Sequence, residues 1–333
     1  MKAHPLPSWH RAARWTARAL LTLVGISVVT FLLVHLLPGD PALVKGGAEL
    51  EARIPPEAYR AMLHRMGLDR PLDEQYFAWL GALLRGDLGE SFTDGRPVAQ
   101  RIGERLPATL LLQALALGLA VVVAVPLGIA GARRHGTWFD SGSRWLMFVL
   151  FSLPSFWLAL LLQVGLAVHL GWLPLQGLAS TGMDDAPLLA RTLDRMRHLI
   201  LPVICLAYGQ LAFLARFTRA NVLESLGRDF VRTARAKGLA EGQVMRRHAF
   251  RHSLSPLLTL AGLTLPALVG GSILIETIFS WPGLGSLFFE SVTRRDYPLV
   301  LALTLLSATV TLAGNLAADL LYRVADPQSA RAS

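Results

Sequence analysis

The sequence predicts an all-α integral membrane protein with six transmembrane helices, and three observations carry this prediction. Hydrophobic residues make up 53% of the 333 residues and charged residues only 17%, against roughly 25% charged residues in a typical soluble domain. The apolar residues gather in long runs, and about 20 of them in a helix cross the hydrocarbon core of a bilayer. The runs lack the alternation of apolar and polar residues that marks the strands of an outer-membrane barrel.

Six apolar runs are long enough to cross a bilayer. They cover residues 19–37, 109–130, 145–170, 199–215, 257–275 and 298–321. None contains Lys, Arg or Glu, and Asp319 is the single acid among them. We interpret the first run as an uncleaved anchor, because the apolar part of a signal peptide has roughly 7–15 residues. Four runs contain a proline, and a packed bundle tolerates the resulting kinks because neighbouring helices satisfy the freed carbonyl groups. These prolines are Pro126, Pro154, Pro202 and Pro266.

Basic residues predict the orientation of the spans. Residues 1–18, 131–144 and 323–333 carry Arg or Lys, and the link 216–252 carries nine basic residues against three acidic ones. With six spans, these four segments fall on one side of the membrane, which is cytoplasmic by the positive-inside rule. Both termini are therefore expected in the cytosol. The segments expected outside are 38–108, 171–198 and 276–297.

The external segment 38–108 is expected to be partly helical. Pro55 and Pro56 can open a helix that reaches about Met66, because the first turn of a helix accommodates proline. Asp73 is expected to cap a second helix, whose apolar side rests on the bundle or on the membrane surface. That side comprises Tyr76, Phe77, Leu80, Leu83 and Leu84. A packing lid and a substrate-docking surface are both open as the role of this segment.

Motifs of catalysis are missing from the sequence. There is no G-x-x-x-x-G-K-[ST] phosphate loop, no H-E-x-x-H zinc motif and no G-x-S-x-G nucleophile motif. We therefore predict neither catalytic residues nor a resident metal ion. The apolar runs also lack the relay of mid-span carboxylates that a proton-coupled carrier needs. The single Cys205 excludes an intramolecular disulfide.

Four polar residues have two interpretations each. His248 and His252 have the helical spacing of a metal-binding pair, but neighbouring arginines oppose a bound cation, so we interpret them as part of a basic helix face. Nucleic-acid binding is not expected of this basic stretch, because it lies between two spans. Asn315 and Asp319 share one face of the last helix. A polar contact between helices is favoured there over a role in a transport pathway.

The cytoplasmic link 216–252 is longer than two helix ends require. It is basic and is broken by Gly227, Gly238 and Gly242. Its part DFVRTARAKGL predicts a short helix followed by a glycine turn. Small side chains at Ala234 and Ala236 would let another protein approach the backbone closely. We expect this part of the link to bind a partner protein.

The link resembles the coupling loop of ABC importer permeases, whose pattern is E-A-A-x-x-x-G. Residues 232–234 occupy the E-A-A positions, where the second alanine matches and the first two residues do not, and Gly238 matches the glycine. This departure is usual in the branch of dipeptide, oligopeptide and nickel permeases. Further marks of that branch are FLLVHLLPGDP, GDLGESF, GWLP and ETIFSWPGLGSLFFES. Together the matches run from about residue 15 to residue 327.

The resemblance implies a permease subunit with the ABC type I importer architecture, and not an enzyme. It implies a second homologous permease subunit, two ABC ATPase subunits and an external solute-binding protein as partners. ATP and Mg²⁺ would be bound by the ATPase subunits, so no cofactor is expected on this chain. A coupling helix of about residues 233–245, within a loop of 232–250, would lie in a groove of one ATPase. The residues implied in this contact are Arg232, Thr233, Ala234, Arg235, Lys237, Gly238 and Leu239.

The resemblance also implies a substrate class, a domain plan and a bacterial inner-membrane location. Di- and oligopeptides are favoured as substrates, with nickel or a metal chelate as the alternative in the same family. A self-sufficient carrier or channel is a further alternative of a different class. The plan has a cytoplasmic start of 1–18, a first span, an external segment, a core permease domain of 109–322 and a cytoplasmic tail of 323–333.

Overall fold

The computed structural model describes residues 8–36, 55–183, 185–254, 256–257, 260 and 271–325, with side chains from residue 16 to residue 317, apart from that of Pro56. Within these ranges the regular structure is helical, and Glu90 and Pro97 form an isolated β-bridge. The all-α prediction is confirmed. The helices are α1 (Ser8–Leu36), α2 (Pro56–Met66), α3 (Leu72–Leu84), α4 (Val98–Arg133), α5 (Trp138–Ser152), α6 (Ser155–Leu162), α7 (Leu188–Leu226), α8 (Asp229–Ala236), α9 (Glu241–Gln243), α10 (Ile273–Ile278), α11 (Leu284–Thr293) and α12 (Tyr297–Ala325). Two π-helical segments, Gln163–His169 and Val244–Ala249, continue α6 and α9.

Four described helices are long and apolar enough to cross a membrane. They are α1, α4, α7 and α12. A fifth candidate is α5 together with α6 and its π-helical continuation, which are bent by 97° at the break between them. The predicted fifth span, 257–275, lies mostly outside the described residues. The count of six spans therefore stays a prediction.

Proline has different effects in different spans. Pro126 and Pro202 lie inside the continuous helices α4 and α7, as expected. Pro154 ends the helical path instead, because it stands between α5 and α6 in an extended conformation with ψ of 136°. The preceding Leu153 is extended as well, as the steric demand of a following proline favours. The prediction of one kinked helix over 145–170 is wrong, because two helices meet here at a sharp angle.

One compact unit comprises residues 1–106 and 287–312. In it α3 packs on the second half of α1, where the Ser27 and Tyr76 hydroxyls are 2.8 Å apart. About two turns further along α1, His35 Nε2 lies 3.1 Å from the Gln75 side-chain oxygen. The buried core of this unit includes Val34 and Tyr297. The external segment is thus packed on the first span.

The two predicted external helices are present, with corrections in α3. Helix α2 covers Pro56–Met66, as expected. Helix α3 begins at Leu72 and has no side-chain cap, so Asp73 lies in the first turn, where its charge complements the helix dipole. Phe77 and Leu84 are 68% and 81% exposed, so they do not pack on the described helices, and their contact with the membrane surface stays a prediction.

A second compact unit comprises residues 107–286 and 313–333. In it α4 contacts α7 along a stripe in which every fourth residue of α4 is buried and most are small. The stripe consists of Leu112, Ala116, Ala120, Ala124, Gly128 and Ala132. Ala116 and Ala120 pack against Ala207, and Ala124 packs against Ala212 and Ala215. Small residues at this spacing let two helix backbones approach closely.

A buried ion pair fixes one end of the second unit. The Arg219 guanidinium of α7 donates two hydrogen bonds to Asp140 of α5, with distances of 2.6 and 2.8 Å. The Gly136 N–H donates a third hydrogen bond to this carboxylate, which is fully buried. The pair therefore holds the link that follows α4 and the link that follows α7 at the same end of the unit.

Candidate functional site

The predicted helix and glycine turn are present in the link after α7. Helix α8 covers Asp229–Ala236, and Gly238 follows it with a φ of +76°. This left-handed conformation favours glycine, because a Cβ atom is strained there. The Gly238 N–H donates to the Arg235 carbonyl at 2.9 Å, and the Leu239 N–H donates to the Ala234 carbonyl at 3.4 Å. We call residues 229–239, helix α8 with its turn, the knob.

The inner side of the knob is apolar. Val231 and Ala234 are buried against Val244, with Leu226 and Leu239 packed around them. Ala234 is only 3% exposed, so the interpretation that its small side chain faces another protein is wrong. Its size matters inside the chain, where it lets α8 lie close to the π-helical segment that follows α9.

The outer side of the knob is cationic and exposed. Arg232, Thr233, Lys237 and Gly238 are all exposed. Arg235 is exposed too, but its guanidinium binds the Glu241 carboxylate at 2.7 and 3.3 Å. This hydrogen bond lowers the pKa of Glu241. Arg235 thus ties α8 to α9, while Arg232 and Lys237 present charge to the surroundings.

The knob is attached firmly to the long helices of its unit. Met245 and Ala249, from the π-helical segment, pack with Val222 of α7 and Ala132 of α4. The buried hydroxyls of Ser225 and Ser253 lie 3.1 Å apart. A displacement of the knob is therefore transmitted to α4 and α7, because tightly packed contacts do not absorb it.

Two further predictions for this link have structural outcomes. The coupling helix was expected over about 233–245, but two short helices separated by the Gly238 turn occupy this range. The correction follows from the positive φ of Gly238, which an α-helix cannot accommodate. His252 stacks on Phe230 with ring centroids 5.2 Å apart. In the described part of the chain, no group of three or more His, Cys, Asp or Glu side chains could hold a metal ion.

A buried carboxylate in the short helix α10 is the functional candidate that the sequence did not reveal. The Glu276 side chain is 0% exposed. Its carboxylate accepts hydrogen bonds from the Thr109 hydroxyl at 3.2 Å, the Ser272 N–H at 3.3 Å and the Ser286 N–H at 3.0 Å. Burial raises the pKa of Glu276, and these hydrogen bonds partly oppose that effect.

Glycines make the room for this carboxylate. A Cβ atom on Gly283 would lie 2.3 Å from one Glu276 oxygen and 2.5 Å from the Thr109 hydroxyl. A Cβ atom on Gly271 would lie 2.9 Å from the other oxygen. The Trp281 indole N–H donates to the Ala108 carbonyl at 3.0 Å beside them. The glycine-rich sequence GGSILIETIFSWPGLG was the available signal, since closely spaced glycines around one acid indicate that other backbone segments approach its side chain closely.

A second buried acid organises the other unit. Asp296 is 1% exposed, and its carboxylate accepts hydrogen bonds from the Ser91 hydroxyl and from the N–H groups of Phe92 and Thr93. It therefore fixes the 91–93 loop against the start of α12. Like Glu276, it lies in the segment 276–297 that the sequence predicts outside the membrane.

The predicted polar pair of the last span has a partial outcome. Asn315 is exposed in this chain, so its polar contact with another helix stays a prediction. The side chain of Asp319 lies outside the description. No hydrogen bond among the described residues brings Asn315 to the knob or to Glu276.

Comparisons with known proteins identify the family. Residues 124–331 match the model of the binding-protein-dependent transport system inner membrane component, and residues 11–113 match the N-terminal model of such membrane components. The chain belongs to this family. It is therefore a membrane component of a transport system, located in an inner membrane. This membership accounts for the resemblance of the link to a coupling loop.

Similar proteins cover nearly the whole chain. The oligopeptide transport system permease protein AppB of Bacillus subtilis is 38% identical, over 95% of this chain and 97% of AppB. The di/tripeptide permease protein DppB of Pseudomonas aeruginosa is 40% identical, over 95% of this chain and 97% of its own. The dipeptide permease protein DppB of Escherichia coli is 39% identical, over 92% of this chain and 94% of that protein.

A solved structure supports the fold. One chain of the inward-facing MetNI methionine ABC transporter aligns with a TM-score of 0.50 and 18% identity, covering 68% of this chain and 97% of that chain. This chain therefore shares its fold with one chain of an ABC transporter. The predicted architecture of an ABC importer permease is confirmed at this level.

Proposed function

We propose that this chain forms half of the translocation pathway of an ABC importer for di- and oligopeptides. A second, similar permease subunit forms the other half, two separate ATPase subunits bind ATP and Mg²⁺, and an external solute-binding protein delivers the peptide. The observation that carries the proposal is the knob. Its exposed cationic outer side projects from an apolar base that is packed on α4 and α7.

The proposed mechanism follows from that packing. ATP-driven closure of the ATPase pair displaces the knob, which docks through residues 232–239 on one ATPase. The apolar contacts of Val231 and Ala234 with Val244 carry the displacement into the base of the knob. Helices α4 and α7 then rock as one body and change the side on which the pathway opens.

Peptides are the favoured substrate because of the names of the relatives. The three relatives described above are named for oligopeptides, di/tripeptides or dipeptides, and each aligns over at least 92% of this chain. Nickel or a metal chelate is less well supported. A self-sufficient carrier is disfavoured, because transport in this family depends on a binding protein.

The proposed orientation has both termini and the knob in the cytosol. Support comes from the ion pair of Asp140 and Arg219, which joins the two basic links 131–144 and 216–252 at one end of their unit. Basic links on one side of a membrane protein are cytoplasmic by the positive-inside rule.

The test is import of a labelled dipeptide into liposomes that contain the complete transporter. Import is expected to require ATP, the ATPase subunits and the binding protein, and to disappear in Gly238→Arg while membrane insertion is normal. A Cβ atom at Gly238 meets nothing within 4 Å in this chain, so the arginine side chain clashes with no described part of the fold. The positive φ of Gly238 adds backbone strain to any substitution there.

A graded series at Gly238 separates docking from backbone strain. Gly238→Asn tolerates a positive φ better than Gly238→Ala, whereas Asn and Arg are both bulkier than Ala. Docking predicts a loss of import that increases with side-chain size, from Ala through Asn to Arg. Backbone strain alone predicts that Gly238→Asn imports more peptide than Gly238→Ala. Normal import and ATP turnover in Gly238→Arg would refute the proposed coupling role.

A further inference from the structure

A large cavity lies between α5 and α7 in the second unit. Its volume is about 920 Å³, which is at the upper end of the range for small-molecule sites, roughly 300–1,000 Å³. Its walls are mainly aromatic and contain three arginines. The described residues that line it include no Asp or Glu.

The aromatic walls are open to a ligand. Trp145, Phe148 and Phe151 of α5 are 66%, 56% and 55% exposed, and Phe213 of α7 is 47% exposed. Phe213 stacks on Phe217 with ring centroids 6.1 Å apart. Aromatic faces provide apolar contact area without reading a particular side-chain sequence.

The three arginines differ in their partners. The charge of Arg219 is neutralised by the buried Asp140. Arg144 lies 3.9 Å from the same carboxylate and donates to the Ser141 hydroxyl. Arg216 forms no ion pair with any described residue, and its guanidinium lies over the Phe151 ring, 5.9 Å from the centroid. Arg216 is therefore the cation in this cavity that has no anionic partner.

The position of Arg216 places the cavity at the predicted cytoplasmic end of its span. It follows directly after the apolar run 199–215, and Phe151 lies inside the apolar run 145–170. An arginine at the end of a span extends its guanidinium toward water at the membrane interface. The unpaired cation of the cavity is therefore placed where a dissolved anion can reach it.

We infer that this cavity is a section of the peptide pathway in which Arg216 binds the free C-terminal carboxylate of the peptide. A guanidinium binds a carboxylate through two parallel hydrogen bonds. The aromatic walls receive peptide side chains of different kinds. No acid of the lining binds the N-terminal amine, so the site reads the carboxyl end alone. The inference rests on the proposed peptide transport and adds a residue and a ligand group to it.

The test measures binding directly and needs no import. The purified complete transporter, without nucleotide and without binding protein, is incubated with a radiolabelled dipeptide in equilibrium dialysis. The same dipeptide is compared with its C-terminal amide and its N-acetyl derivative. We expect the amide to bind about tenfold more weakly, the typical worth of a hydrogen bond to a charged group. The N-acetyl form should bind like the parent peptide.

Variants assign the discrimination to Arg216. In Arg216→Gln the dipeptide and its amide should bind equally, and Arg216→Lys should restore part of the difference because it restores the charge. Arg134→Gln is the matched control, because Arg134 also lies over an aromatic ring, that of Phe139 at 4.8 Å, but does not line the cavity. It should keep the full discrimination.

Three results would overturn the inference. One is equal binding of acid and amide by the unchanged transporter. Another is retained discrimination in Arg216→Gln. The third is a photo-crosslink from position 148 to phospholipid or to the second permease subunit, with none to peptide, which would make the cavity a lipid site or a subunit interface. Peptide import could persist in each case, so these failures are distinct from failure of the proposed function.

Discussion

The contact between α4 and α7 gives the sharpest quantitative prediction, through a pair of glycines on one helix. Gly128 lies in the buried stripe, whereas Gly118 of the same helix is exposed and would meet nothing within 4 Å as alanine. A Cβ atom on Gly128 would lie 2.7 Å from both the Ala215 carbonyl oxygen and the Thr218 Cβ. The backbone carbonyl cannot turn away, so the helices must separate.

The magnitude follows from that distance. Ordinary contact begins near 3.4 Å, so each 2.7 Å contact must lengthen by about 0.7 Å, an overpacking that typically costs about 1–3 kcal/mol. Gly118→Ala adds no contact and removes backbone entropy from the unfolded chain, which is worth roughly 0.5–1 kcal/mol in the opposite direction. Gly128→Ala gains the same entropy, which cancels in the comparison, so it should be the less stable variant by about 1–3 kcal/mol.

The assay is thermal unfolding of the two purified variants and the unchanged protein in the same mild detergent. Gly128→Ala should melt below the unchanged protein, and Gly118→Ala at or above it. Equal melting temperatures for the two variants would refute the close approach of α4 and α7.

Substitutions at three other positions test buried polar groups. Burial raises the pKa of Glu276 above its ordinary 4.5, so the folded chain keeps this proton to a higher pH than the unfolded chain. Stability therefore falls as the pH rises from 4.5 through the raised pKa. Melting curves of Glu276→Gln should lose that part of the pH dependence, and an unchanged pH profile would contradict this prediction. Asp296→Ala leaves buried donors of the 91–93 loop without an acceptor and should lower the free energy of unfolding by about 2–4 kcal/mol, with Asp296→Asn intermediate. The measurements are the melting temperature and the rate of proteolysis in this loop, and unchanged values would contradict the role of Asp296 as their acceptor. Arg219→Lys replaces a two-bond contact with Asp140 by a single-point contact and should destabilise by about 1–2 kcal/mol; denaturant titration would show it, and Arg228→Lys at an exposed pair is the control.

Patterns along the chain were sufficient for much of the fold. Long uncharged runs predicted α1, α4, α7 and α12, because a bilayer demands about 20 apolar residues in each crossing helix. The sequence DFVRTARAKGL predicted a short helix with a glycine turn. Both predictions depend on neighbours in sequence, and local physics decides them.

The details of the link 216–252 needed contacts between distant residues. The sequence did not reveal that Ala234 faces inward, because Val244 and Leu239 complete that apolar cluster only after the turn at Gly238. Nor did it reveal that Arg235 pairs with Glu241. A short helix has two sides, and only the packed chain decides which one is left for a partner.

Sequence alone determined that this chain is a helical membrane protein with a basic link of unusual length, since composition, run length and charge bias are properties of the chain as written. The tertiary structure decided which charges are buried and which have no partner. In the sequence, Glu276, Asp140 and Arg216 are each one charged residue, and nothing beside them shows whether the charge is buried or paired. Their difference lies in neighbours more than 60 residues away, which turn the first into a buried acceptor, pair the second with Arg219 and leave the third facing a cavity.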